Sequence, residues 1–67
     1  MQRFQRHELA FIDFSAGVGL EEITITRKYK TLGHTAVAIM RVKKRADGRK
    51  DLWDAIDAKR KELGKHV

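Results

Sequence analysis

The sequence predicts an α+β fold, a small antiparallel sheet of three strands packed by a C-terminal helix in the order β-β-β-α. Three observations point there. Residues 23–30 alternate with a period of two, Gly33 follows where a chain reversal needs it, and residues 51–63 repeat apolar positions at helical spacing. Two layers of this kind are the simplest way for so short a chain to cover one sheet face.

The first strand is expected at Leu9-Ala10-Phe11-Ile12-Asp13-Phe14, where aromatic and β-branched side chains concentrate, with Gly17 and Gly19 ending it. Those glycines lack the downstream Gly-Lys-Ser/Thr of a phosphate loop and the spacing of a dinucleotide site. In Ile23-Thr24-Ile25-Thr26-Arg27-Lys28-Tyr29-Lys30 the alternation sends Ile23, Ile25, Arg27 and Tyr29 to one, mainly apolar, face and Thr24, Thr26, Lys28 and Lys30 to the other. Such a strand has one wet, positive side. A reversal at Thr31-Leu32-Gly33-His34 would then pair it with residues 35–44 as a hairpin.

Residues 35–45 read two ways. As a strand, Val37, Ile39 and Arg41 share a face; as a helix, Leu32, Ala36, Ile39, Met40 and Lys43 form a stripe. The strand is preferred because it gives the preceding strand a local partner. The alternative architecture is one strand followed by two helices. In that case Thr24, Thr26 and Lys28 of two subunits would lie in a DNA groove, an arrangement similar to ribbon-helix-helix repressors.

Residues 46–50 form a turn, and residues 51–63 a helix with Leu52, Ile56 and Leu63 on its apolar stripe and Trp53 as an anchor. Asp51 and Asp54 suit its positive end, Lys59, Arg60 and Lys61 its negative end, and Gly64 a stop. A helix-turn-helix with this element as its second helix is disfavoured, since Asp51 and Asp54 would face the phosphates. The core is drawn from Leu9, Phe11, Ile12, Phe14, Val18, Leu20, Ile23, Ile25, Tyr29, Val37, Ile39, Met40, Val42, Leu52, Trp53, Ile56 and Leu63, leaving Phe4 as the loose aromatic. The whole, residues 1–67, is one small basic domain with flexible ends expected at 1–7 and 65–67.

Charge is the strongest functional signal. Of the net +6, residues 1–22 carry −2, residues 23–50 carry +8 and the remainder is neutral. In the central segment Arg27, Lys28, Lys30, Arg41, Lys43, Lys44, Arg45, Arg49 and Lys50 face Asp47 alone. A polyanion is the natural partner if the fold gathers them. The expected interface uses Arg27, Lys28, Lys30, Lys44, Arg45, Arg49 and Lys50 for phosphate contact, with Thr24 and Thr26 as neutral hydrogen-bonding groups. On the proposed hairpin the charge divides into two patches, Lys28 and Lys30 at the tip and Lys44, Arg45, Arg49 and Lys50 at the far end and the following turn.

These readings favour a small regulatory or accessory module that binds DNA or RNA. The alternative is a non-enzymatic interaction or inhibitor module for an acidic protein. Exposed sheet edges also predict a homodimer. Cysteine is absent, which removes thiol nucleophiles and thiolate metal sites, and His7, His34 and His66 are widely separated. Ser15 lacks a hydrolase elbow, and Asp51, Asp54 and Asp57 lack the ligand density of a calcium loop. No catalytic residue, metal or cofactor is therefore expected. Glu8 and Asp13 interrupt any secretory apolar segment, no run is long enough for a membrane span, and the cytoplasm is the expected compartment.

Overall fold

The computed structural model describes residues 3–64, and all its regular elements are helices: α1 Arg6–Ser15, α2 Leu20–Thr26, α3 Leu32–Arg45 and α4 Lys50–Gly64. Among the described residues there is no strand, so the three-stranded sheet and its hairpin are overturned; the strand-helix-helix alternative loses its strand, while its two helices are present. With the sheet goes the edge-strand argument for a homodimer. The C-terminal helix is where the pattern placed it, and residues 35–45 follow the helical reading instead of the preferred strand. The expected end at 65–67, with Lys65 and His66, lies outside the described residues.

Residues 9–14 turn out to lie inside α1. The backbone N–H of Gln5 donates to Glu8 Oε1 at 2.8 Å ahead of the first turn, and Ala10, Phe11, Ile12 and Asp13 are buried in succession. The helix ends when Gly17 takes a φ of 105°, letting Gly17 N–H reach the Phe14 carbonyl and Val18 N–H the Asp13 carbonyl, both at 3.0 Å. This is a Schellman ending, with glycine at its left-handed position.

The apparent strand at 23–30 is α2 and the turn after it. Glu21 and Glu22 occupy the first turn, where negative charge is favourable. The two threonines that suggested alternation bond back into the helix: Thr24 Oγ1 donates to the Leu20 carbonyl at 2.7 Å, and Thr26 Oγ1 to that of Glu22 at 2.9 Å. Ile23 is fully buried while Ile25 is 77% exposed, so the two isoleucines share no face. The same Schellman ending recurs here, Lys28 N–H to the Ile25 carbonyl at 3.2 Å and Tyr29 N–H to that of Thr24 at 2.9 Å. At the left-handed position stands Lys28, with a φ of 60°.

Residues 35–45 form α3, capped by Thr31, whose Oγ1 accepts from His34 N–H at 3.1 Å. Its buried face is Thr35, Ala38 and Ile39, with Val42 partly buried beside them. That differs from the expected helical stripe, which included the exposed Leu32, Met40 and Lys43. Thr35 hides the pattern because it is polar yet wholly buried, its Oγ1 2.6 Å from Thr24 Oγ1 and 3.1 Å from the Thr31 carbonyl.

Helix α1 touches the other three, α2 packs on α3, and α4 packs on α1. Ile23 and Leu52 are the largest apolar side chains fully enclosed, each contributing about 1.5–3 kcal/mol of burial. Phe4 is not loose; it packs on this core. Trp53 stays half exposed, meeting Phe11 edge-on and donating its indole N–H to the Ala46 carbonyl at 3.0 Å. Arg60 donates to the Ser15 carbonyl at 2.9 Å, putting a cation at the negative end of α1. Among the described residues no helix is long and apolar enough to cross a membrane.

Candidate nucleic-acid interface

Because α2 and α4 both lean on α1, and only α1 and α2 contact α3, one long side of α3 faces solvent. With 3.6 residues per turn, Gly33, Val37, Met40 and Lys44 form its outermost row, and all four are exposed. His34 and Arg41 flank that row on one side and Lys43 on the other.

Beside His34 and Arg41 the surface sinks into a cleft of about 470 Å³. Its walls are Arg6 and His7 from the start of α1, Lys28, Tyr29 and Lys30 from the α2–α3 turn, and His34, Val37, Ala38 and Arg41 from α3. Among the described residues, four cationic side chains line this cleft and no acidic residue does. Tyr29 organises the wall: its hydroxyl lies 2.8 Å from His7 Nδ1, its ring stacks on the imidazole, and the Arg6 guanidinium sits 4.6 Å above its centroid. Burial pushes the Tyr29 phenol above its ordinary pKa, although Arg6 pulls it the other way.

The expected interface residues divide sharply. Lys28 and Lys30 meet in the cleft, together with Arg41 and Arg6. Lys44 and Arg45 are exposed on the last turn of α3, and Lys50 is exposed at the start of α4. Lys28 and Lys30 thus face the α3 surface instead of occupying the far tip of a hairpin. Arg27 is taken by the fold: its Nε and Nη2 donate to the two Asp13 carboxylate oxygens at 2.8 and 3.2 Å, and Asp13 is buried. Arg49 bridges Glu8 at 3.0 Å and Asp51 at 2.7 Å. Its hydrogen bonds hold the Asp51 carboxyl below the usual range. Thr24 lies between α2 and α3, and Thr26 bonds its own helix.

Sequence reasoning left out Arg6, His34, Val37, Met40 and Arg41. A helical reading of 35–45 with Thr35 counted as buried would have turned Val37, Met40 and Arg41 outward. Compared with known proteins, the chain matches no family model, no curated protein and no solved structure.

Proposed function

We propose that this protein is a DNA-binding module and not an enzyme, in which α2, its turn and α3 act as a helix-turn-helix and α3 enters the major groove. The observation that carries this reading is the exposed row Gly33, Val37, Met40 and Lys44 on a helix whose flank is a cleft of Arg6, Lys28, Lys30 and Arg41 free of acids.

The physics favours duplex DNA over RNA. A B-form major groove about 12 Å wide admits a helix, whereas that of A-form RNA is too narrow for one. Phosphates on one strand would fall to the cleft cations, which set position and affinity, while the outer row of α3 meets base edges. Lys44 and Arg45 would reach phosphates beyond the end of α3. Arg27 and Arg49, with Thr24, serve the fold. The role places the protein in the compartment that holds DNA, for which the cytoplasm is our proposal.

The test is fluorescence anisotropy on a labelled 20-base-pair duplex and an RNA hairpin over a range of salt. Six phosphate contacts, by Arg6, Lys28, Lys30, Arg41, Lys44 and Arg45, predict a slope of log affinity against log salt of roughly −5 to −6 for the duplex. The RNA hairpin should bind more weakly. Absence of duplex binding at low salt would overturn the proposal and favour an acidic protein as the partner.

A further inference from the structure

We infer that Val37 and Met40 read methyl groups on the floor of the major groove, so that the preferred duplex places thymine where α3 docks. This rests on the DNA-binding reading and adds what the helix selects. The starting point is an oddity of burial. Val37 is 48% exposed and Met40 58%, although the core side of α3 is already complete with Thr35, Ala38, Ile39 and Val42.

A single exposed apolar residue is ordinary. These two, however, are consecutive members of one row, a helical turn apart, and cations surround them: Arg41 to one side, Lys43 to the other and Lys44 at the end. A ligand matched to this face has negative charge at its edges and apolar groups between. The major groove has that layout, phosphates along both rims and the thymine C5-methyl on the floor. Gly33 opens the row without a side chain, and a Cβ built there would meet only Thr31 Oγ1, at 3.7 Å. The first turn of α3 can therefore bring its backbone close to the bases.

Hydrogen-bonding readers are scarce on this face. Its outermost row contains Gly, Val, Met and Lys, with no Asn or Gln to pair with adenine. Discrimination then falls to apolar contact, with Arg41 and Lys44 as the groups able to reach guanine or phosphate.

The experiment selects the preferred duplex from a randomised 20-base-pair pool, then replaces its thymines by uracil one at a time. Uracil preserves pairing and phosphates and removes one methyl. We expect about a fourfold loss of affinity at each contacted thymine, the effect of exposing one buried methyl. In Val37→Ala/Met40→Ala, both changes lying on the exposed face, the thymine-to-uracil ratio should fall to about one. The salt slope of that variant should match the parent's, because no phosphate contact is removed, and thermal denaturation should show it folded, so that loss of the thymine preference is separated from loss of structure. Uracil copies that bind as well as the thymine duplex overturn the inference, as does a pool without a preferred sequence or a ratio that survives in the double variant. In each of those cases the DNA-binding reading stands. If no duplex binds at all, that reading fails first and this inference with it.

Discussion

Gly17 and Lys28 occupy the same position in the same helix-ending motif, one at the corner between α1 and α2, the other at the corner between α2 and α3. Both have positive φ, 105° and 60°. At the first corner the residue is the one that adopts this conformation freely; at the second it is a lysine, for which the left-handed region costs about 1–2 kcal/mol. The residue bought at that cost lines the cationic cleft with Lys30 and Arg41. Strain held beside a candidate site suggests that charge there matters more than stability. The first corner instead serves the fold, with Asp13 just before it ion-paired to Arg27.

If the two corners differ in this way, damage to each should be felt in a different assay. The largest effect should come from Arg41→Glu, which reverses a cleft charge on an exposed part of α3. We expect roughly tenfold or greater loss of duplex affinity with the melting temperature nearly unchanged, checked by anisotropy and thermal denaturation. Asp13→Ala should show the converse. It strips Arg27 of its buried partner, and because Arg27 is partly exposed we expect about 2 kcal/mol of destabilisation, a melting temperature lower by about 10 °C. The affinity of the folded variant should not change.

Exchanging the corner residues is a finer test. Lys28→Gly should stabilise the protein by about 1 kcal/mol while weakening duplex binding severalfold and reducing the salt slope by about one. Gly17→Lys should destabilise by a similar amount without improving affinity, since nothing lies within 4 Å of a Cβ at Gly17 and the backbone conformation is the only obstacle.

The smallest effect concerns acid. Asp51 has a lowered carboxyl pKa in the folded protein because Arg49 donates to it. Its contribution to stability is thus full above the ordinary aspartate pKa of about 3.9 and is lost as pH falls through the lower, folded value. Asp51→Asn should flatten the stability profile below about pH 4 and leave it unchanged near neutrality apart from a constant offset. Chemical denaturation at several pH values measures this.

Part of this molecule was open to reading from its residues. Leu52, Ile56 and the charge gradient of 51–63 identify a helix because all three signals agree. Phe11, Ile12, Ile23 and Ile39 belong in the core under any reading, and all four are buried. The strands failed for two local reasons. Thr24 and Thr26 look like one face of a strand until their hydroxyls return to carbonyls four residues back, and Thr35 breaks the helical stripe of α3 only because a buried threonine counts as polar. The interface was legible in charge and not in place. Nothing in a basic run tells Arg27 from Arg41, since the carboxylate that claims Arg27 belongs to α1, and the cleft holding Arg41 needs Arg6 from α1 as well.

The most direct measurement is amide and methyl NMR of the protein titrated with duplex DNA. The account predicts shifts concentrated at Lys28, Lys30, His34, Val37, Met40, Arg41 and Lys44, with Asp54, Asp57 and Ala58 on α4 unmoved. Shifts centred on α4, or none on the exposed row of α3, would contradict it.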